Sequence, residues 1–382
     1  MLGINSNINS LVAQQNLNGS QSALSQAITR LSSGKRINSA ADDAAGLAIS
    51  TRMQTQINGL NQGVSNANDG VSMIQTASSA LSSLTSSLQR IRQLAVQAST
   101  GTLSSSDQAA LQKEVSAQIS EVNRIASQTT YNGTNILDGS AGSVTFQVGA
   151  NVGQTISLNL SQSMSAAKIG GGLVQTGQTI GTVSVSTDAA GVYTTASNPA
   201  ITSINVLSDG KGGFTFTDQN NQALAATVGA AIFGANATAG TGTAITNIAL
   251  QAAATTTAGA GSAAQVSAVA QINAINAPPT VSGLDISTVT GANQAMVSID
   301  NALQTVNNLQ ASLGAAQNRF TAIATAQQAE STDLSSAQSQ ITDANFAQET
   351  ANLSKAQVLQ QAGISVLAQA NSNPQQVLKL LQ

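Results

Sequence analysis

The 382-residue sequence contains no cysteine, no histidine and no tryptophan. Without cysteine or histidine it cannot build a zinc site of the Cys or Cys/His type, a thiol nucleophile, a disulfide, a Ser-His-Asp triad or a histidine-ligated haem. Catalysis by carboxylates, serine and lysine alone stays open, but the common solutions are gone. Charge is also scarce, at 8% of residues against about 25% in an average soluble protein. The net charge is −3, so no basic field invites nucleic acid. No run of 18 apolar residues exists, and none of the residues before Arg30 is charged. The first absence excludes a membrane-spanning helix. The second removes the basic start that a secretory signal needs, so a soluble chain without a cleavable export signal is expected.

Proline is nearly absent too: Pro199, Pro278, Pro279 and Pro374 leave 1–198 and 280–373 free of it. Helix interiors there can run without a break. Met53, Ile57, Leu60, Val64, Ala67, Val71 and Ile74 follow one another in steps of four and three, and the register continues through Leu81 and Leu88. This heptad seam, flanked by Gln, Ser, Asn and Thr, predicts a helix from about Ala44 to Ala98. At 1.5 Å per residue it would be roughly 80 Å long, which implies a bundle or coiled coil. Gly101 breaks the pattern, and Ser104 followed by Asp107 predicts the cap of a further helix with Leu111, Val115, Ile119, Val122 and Ile125 on its apolar face. Asn132-Gly133 is expected to end that helix in a turn. Val144–Val148 and Ile156–Leu160 alternate around Gly149–Gly153, which suits a β-hairpin. Met296, Ile299, Leu303 and Val306 begin a second seam, which slips at Leu309 and resumes through Leu313, Ala316, Phe320 and Ile323. The two ends of the chain would thus return to one another in one bundle.

The stretch between them is a different material, rich in Gly, Ala, Thr and Ser and nearly uncharged. Thr182–Ser186, Ile201–Val206 and Phe214–Phe216 read as short strands, Ala223–Phe233 as helix or strand, and the region as β-rich. The two tips carry apolar residues at helical spacing: Ile4, Ile8, Leu11, Leu24, Ile28 and Leu31 at one end, and Val358, Leu359, Ile364, Val366, Leu367, Val377, Leu378, Leu380 and Leu381 at the other. One helix pair cannot bury that much apolar surface, so association with further copies is expected rather than a self-contained bundle.

Motifs that could carry chemistry are weak. Ser165-Ala166-Ala167-Lys168 fits a Ser-x-x-Lys pattern, with Ser208-Asp209-Gly210-Lys211 downstream, but the companion Ser-Asp-Asn and Lys-Thr-Gly are missing. Gly240-Thr241-Gly242 lacks the third glycine of a dinucleotide loop, and Gly34-Lys35 lacks the upstream glycine of a phosphate loop. Asp42-Asp43 could attract a cation, yet adjacent carboxylates point to different helix faces, which favours a helix start. Arg90, Arg92, Lys113 and Arg124 with Glu114 and Glu121 read first as salt bridges on a solvent face. No acid/base pair emerges, no cofactor or metal is expected, and the chain reads as a non-enzyme.

Several ordered blocks resemble the bacterial flagellins. INSNINSLVAQQNL (Ile4–Leu17), LSSGKRINSAADDAAGLAIS (Leu31–Ser50), LQRIRQLAVQAS (Leu88–Ser99) and YNGTNILDG (Tyr131–Gly139) are similar to that family's N-terminal part. IDNALQTVNNLQASLGAAQNRF (Ile299–Phe320) and Asp343–Leu381 are similar to its C-terminal part. The resemblance covers roughly 1–165 and 285–382 and leaves the centre without a named counterpart. Two departures stand out: Gln340 where members often carry Arg, and Gln93 where many enteric members carry Glu.

The resemblance implies a mainly α fold: a long antiparallel helical bundle formed by both chain ends, a small β-hairpin region and an inserted β-rich central domain. It divides the chain into a terminal coiled-coil filament-core domain (1–43 and 343–382), a helical rod with the hairpin (44–169 and 286–342) and a variable outer domain (170–285). It implies the subunit of the extracellular flagellar filament, a helical homopolymer for motility. Its tips would be disordered in the monomer, and it would be exported unfolded by the flagellar type III apparatus. Implied partners are further copies, an export chaperone, the filament cap, hook-filament junction proteins and, in a host, Toll-like receptor 5. The chaperone and filament-core face would hold Phe346, Leu353, Leu359, Ile364 and Leu367. The receptor face would hold Arg90, Leu94 and Glu114, with Gln89 and Gln97 at its rim; residues 90 and 94 lie four apart on one helix. The alternatives are the hook-filament junction protein of the same family and a coiled-coil surface adhesin.

Overall fold

A computed structural model describes residues 7–194, 198–233, 248–249 and 263–380, with side chains of Ala226, Ala263 and 373–380 left aside. Ile4, Gly240–Gly242 and Leu381 lie outside the described residues, as do the side chains of Val377, Leu378 and Leu380. The chain forms two compact units: 1–68 with 147–155 and 322–382, and 69–146 with 156–321. These units cut the chain differently from the three-part division that the resemblance implies (1–43 with 343–382, 44–169 with 286–342, and 170–285). The reason lies in two long helices, α2 (Ala44–Ala98) and α6 (Val289–Thr342), whose ends are allotted to different units.

The first unit is built on short-range signals. Helix α1 (Ile8–Ser33) starts at Asn7, whose side chain accepts the Ser10 N–H, and stops at Gly34, left-handed at φ 69°. Asp42 accepts the Ser39 N–H and hydroxyl and the Asn38 N–H; these bonds, Ser39 N–H foremost, hold its pKa below the ordinary carboxylate value. Asp43 accepts the Gly46 N–H at 2.9 Å and so opens α2. The adjacent carboxylates each finish a turn of backbone.

Helix α7 (Phe346–Leu380) packs antiparallel on α1. The inward positions of α1 are Ser10, Ala13, Leu17, Ser20, Leu24, Ala27 and Leu31; those of α7 are Glu349, Leu353, Ala356, Gln360, Gly363, Leu367 and Ala370. Both run in alternating steps of three and four, the seam of a coiled coil. The loop after α1 closes the end of α6. The Arg36 and Ile37 N–H groups both reach Thr342 O, and the Arg36 guanidinium donates to Ile341 O at 2.6 Å. Carbonyls that a helix C-terminus leaves unpaired are thereby satisfied.

In the second unit α2 changes character. Between Ile57 and Ala67 its burial follows one seam; from Met73 onward Ile74, Ala77, Leu81, Leu84, Leu88, Ile91, Leu94, Ala95 and Ala98 are all inaccessible. Two partners explain the wider stripe. Helix α3 (Ser105–Gln128), opened by a capping box between Ser104 and Asp107, contributes Val115, Val122 and Ile125. Helix α6 contributes Ile299, Ala302, Val306, Leu309, Leu313 and Phe320.

Helix α3 ends at Gln128, before Asn132-Gly133. Those two residues, at φ 49° and 78°, turn a tiny hairpin of β1 (Thr130–Tyr131) and β2 (Thr134–Asn135), as a mirror-image turn requires. Strands β3 (Gly142–Gln147) and β4 (Thr155–Leu160) pair as the alternation predicts, with Ile156, Leu158 and Leu160 turned inward.

The central region carries an antiparallel sheet of β5 (Thr179–Thr187), β6 (Ile201–Ser208) and β7 (Phe214–Asp218), in that order. It also carries helices α4 (Ala226–Phe233) and α5 (Ala263–Ile275), so it is mixed rather than purely β. Val183, Ile204, Val206, Phe214, Ile232 and Ile272 form its core, where the Phe216 and Phe233 rings stack at 5.0 Å. Three of its turns share one device. Asp188, Asp209 and Asp218 each accept the N–H groups two and four residues on. The residue three on (Gly191, Gly212, Asn221) has positive φ in each case. Such aspartate turns fix hairpin ends locally.

Glycines let the β3–β4 loop lie on α2. A Cβ on Gly59 would come 2.9 Å from Ala150 Cβ, and one on Gly63 would collide with the Val148 carbonyl. Each glycine costs a helix about 1 kcal/mol against alanine, and the close approach of the loop offsets it. Gly314 in α6 has nothing within 4 Å of such a Cβ. We therefore expect Gly63→Ala to destabilise the protein by about 1–3 kcal/mol through overpacking. Gly314→Ala should stabilise it by about 0.5–1 kcal/mol. Calorimetric unfolding of both variants checks the opposite signs.

Candidate assembly and recognition surfaces

The α1–α7 pair buries small residues and exposes large ones. Ala13, Ala27, Ala356 and Ala370 are its most buried apolar positions. Ile8, Leu11, Val12 and Ile28 on α1, and Phe346, Val358, Leu359, Ile364 and Val366 on α7, are about half exposed or more, up to 71% at Phe346. The narrow seam draws the helices together over alanine and glycine, which leaves the branched side chains on the flanks. At about 100° per residue Phe346 and Ile364 fall on one flank of the seam, and Leu359 and Val366 on the other.

The five α7 residues expected on one apolar face therefore divide. Leu353 and Leu367 are half-buried in the seam against α1, while Phe346, Leu359 and Ile364 look outward. Pairing with α1 takes up Leu353 and Leu367 at the seam. Val358, Val366, Leu11 and Val12 belong with the outward set. The placement of Ala and Gly at seven-residue intervals was the signal that could have separated the two groups.

The second surface lies on α2 and α3. The Arg90 guanidinium grips Glu114 Oε1 through Nε at 2.8 Å and Nη2 at 2.5 Å, and Nη1 reaches Gln93 at 3.5 Å. Both charged side chains stay about two-fifths exposed, at 46% and 39%, so the pair contributes about 1 kcal/mol or less. Gln89 and Gln97 are exposed beside it. Leu94 is not part of this surface: it is 1% exposed. Four residues advance a helix by about 40°, enough to carry position 94 off the exposed edge and into the core. On the outer side of α2, Gln89, Arg92, Gln93 and the 46%-exposed Val96 line a shallow hollow. Arg92 is held there by Asp300 of α6 at 2.7 Å, a bond that raises the arginine pKa further above its ordinary value.

Ser165 and Lys168 form a turn in which the lysine N–H donates to the serine carbonyl at 2.9 Å. Among the described residues no cluster of three acidic side chains could hold a metal, and no helix is long and apolar enough to cross a membrane.

Comparison with known proteins covers nearly the whole chain. Residues 4–142 match the bacterial flagellin N-terminal helical region, 172–277 the flagellin D2 domain, and 296–381 the bacterial flagellin C-terminal helical region. The centre, which resembled nothing nameable in its sequence, thus has a counterpart. The B-type flagellin of Pseudomonas aeruginosa is 36% identical with all of both chains covered. Flagellin B of Vibrio cholerae is 37% identical, over 100% of this chain and 99% of its own. The solved structure of FliC from Burkholderia pseudomallei is 66% identical, with a TM-score of 0.60, over 65% of this chain and 99% of that one.

Proposed function

The chain belongs to the bacterial flagellins, and from that premise we propose how its two surfaces serve a filament subunit. Flagellins are structural proteins, not enzymes, and they polymerise into the extracellular filament of the flagellum. The flanks of the α1–α7 pair are the faces that bury against neighbouring copies. The supporting observation is their composition: nine large apolar side chains left outside a seam of alanines. Burying what remains exposed of each contributes about 1–2 kcal/mol, so several contacts per neighbour suffice for a stable polymer. Different patches meet in head-to-tail fashion, and such contacts build open helices. The terminal and outer-domain boundaries (1–43 with 343–382, and 170–285) are kept as functional divisions, one for the polymer contacts and one for the outer surface.

Before assembly the same apolar flanks need cover. An export chaperone that takes α7 into a groove matches an amphipathic helix whose Phe346, Leu359 and Ile364 face outward while Leu353 and Leu367 become available once α1 is absent. Passage unfolded through the type III apparatus suits a terminal helix pair with so little buried surface. The filament cap and the hook-filament junction proteins are the remaining contacts at the two ends of the polymer. The flagellin D2 match and the full-length likeness to curated flagellins favour a filament subunit over a junction protein or an adhesin.

The Arg90–Glu114 patch with Gln89, Gln93 and Gln97 is the face offered to Toll-like receptor 5. An exposed arginine already oriented by a carboxylate has the composition of an interface hot spot. Leu94 supports the patch from beneath.

Three outcomes test these assignments. Replacing Val358 and Ile364 together with serine should leave the helical content intact and abolish seeded filament growth; normal growth by electron microscopy would remove the flanks from the reading. A peptide of 343–382 should bind the cognate chaperone in calorimetric titration, and Phe346→Ser should weaken it; equal binding by a 1–40 peptide would count against the assignment. Arg90→Ala should weaken monomer binding to the receptor by about 1–3 kcal/mol with little change in stability. Leu94→Ala should instead lower stability by about 2–5 kcal/mol by opening a cavity. Reporter assays beside thermal unfolding separate the two, and full signalling by Arg90→Ala would reject the site.

A further inference from the structure

The α1–α7 seam has an ambiguity in its apolar pattern. Inward positions recur every seven residues with the same residue classes: Leu17, Leu24 and Leu31 alternate with Ala13, Ser20 and Ala27 on α1. Leu353 and Leu367 alternate with Ala356, Gly363 and Ala370 on α7, and the polar Gln360 takes the leucine-class place between the two leucines. In the structure leucines of one helix lie opposite small residues of the other, as Leu17 does opposite Gly363, and sliding one helix by a heptad, about 10 Å, sets leucine opposite small again. Hydrophobic packing alone therefore barely distinguishes the registers.

Charge does distinguish them. Arg30 is the only charged residue of α1. Its Nη1 lies 3.2 Å from Glu349 Oε1, and the glutamate is 7% exposed in the seam. Asn352 Nδ2 holds the other carboxylate oxygen at 3.3 Å, while the buried Arg30 Nε has no hydrogen-bond partner. A buried pair with one nitrogen unsatisfied is a poor stabiliser, because desolvation offsets the attraction. We infer that Arg30 and Glu349 form a register lock for the α1–α7 pair, selecting one alignment by what the others would cost. In the structure Leu17 faces Gly363. Moving α7 by one heptad to bring Gly363 opposite Leu24 carries Lys355 to the level of Arg30, like charge against like. It also carries Glu349 past Ser33, the end of α1. Sliding the other way takes Arg30 beyond Phe346, the first residue of α7. One buried polar pair specifying register at some expense of stability is the best-attested use of such groups.

This inference concerns the pairing of two helices in one chain and holds whether or not their flanks are the polymer contacts. It can be read directly, because the sequence contains no cysteine and introduced thiols have no competitors. A Cβ at position 363 lies 3.8 Å from Leu17 Cβ, the usual separation across a disulfide. Full-length chains carrying Leu17→Cys with Gly363→Cys, or Leu24→Cys with Gly363→Cys, would be oxidised and their linked peptides measured by mass spectrometry. With Arg30 and Glu349 in place the 17–363 link should exceed the 24–363 link by about tenfold or more. Arg30→Glu should lower the 17–363 link by about tenfold, and the exchange Arg30→Glu with Glu349→Arg should restore it. The double change Arg30→Met with Glu349→Leu keeps the seam filled, so pairing survives even if the single variant does not pair at all. In that background the 24–363 link should rise toward the yield of 17–363. If the apolar double variant still links only 17 to 363, the connections at 34–43 and 343–345 set the register, and the lock is overturned.

Discussion

Two helices side by side share only a narrow strip of surface, and the first unit depends on this limit. Filling the strip with alanine and glycine brings α1 and α7 close but leaves isoleucine, valine and phenylalanine outside it. A third or fourth helix would normally cover those residues. Among the described residues none does, so the pair is apolar on its flanks, the feature on which the proposed polymer contacts rest. The second unit escapes the limit because α2 has α3 and α6 against it, and its stripe of buried residues widens accordingly.

The long helices were legible because their signal is additive. Fifty-five residues of unbroken periodicity and no proline leave little room for another structure, and α2 occupies the span from Ala44 to Ala98 that the pattern outlines. The capping box at Ser104 and the β3–β4 alternation were equally local and equally readable. What failed was anything that depends on a neighbour. Leu94 and Arg90 share an i, i+4 spacing, yet one is core and the other surface, because only the arrival of α3 and α6 decides where the stripe ends. Asn132-Gly133 announced a turn correctly, but two-residue strands beside it carry no pattern of their own. In the centre, helices α4 and α5 are rich in Ala and Val, residues that serve helix and strand alike.

The surfaces follow the same division. The outward apolar set of α7 was visible as an excess of hydrophobic residues, whereas its separation from Leu353 and Leu367 lay in the seven-residue spacing of Ala356, Gly363 and Ala370, a signal left unread. The Arg90–Glu114 bond joins residues of two helices that the turn at Gly101 brings together, as the break at Gly101 and the antiparallel helix after it anticipate. Membership of the flagellins adds the polymer, and the geometry adds which side chains are left for it.

The loop that closes α6 joins parts of the chain about three hundred residues apart: Arg36 to Ile341, with Asn7 to Ala370 wider still. Contacts this distant in sequence are slow to form, since the intervening chain must be ordered or looped out first. A ribosome delivers residue 36 long before residue 341. The first unit is therefore the last to close, and throughout synthesis the N-terminal helix has no partner to fold against. That delay is a window in which the nascent ends stay threadable, and it is set by chain order rather than by weak bonds.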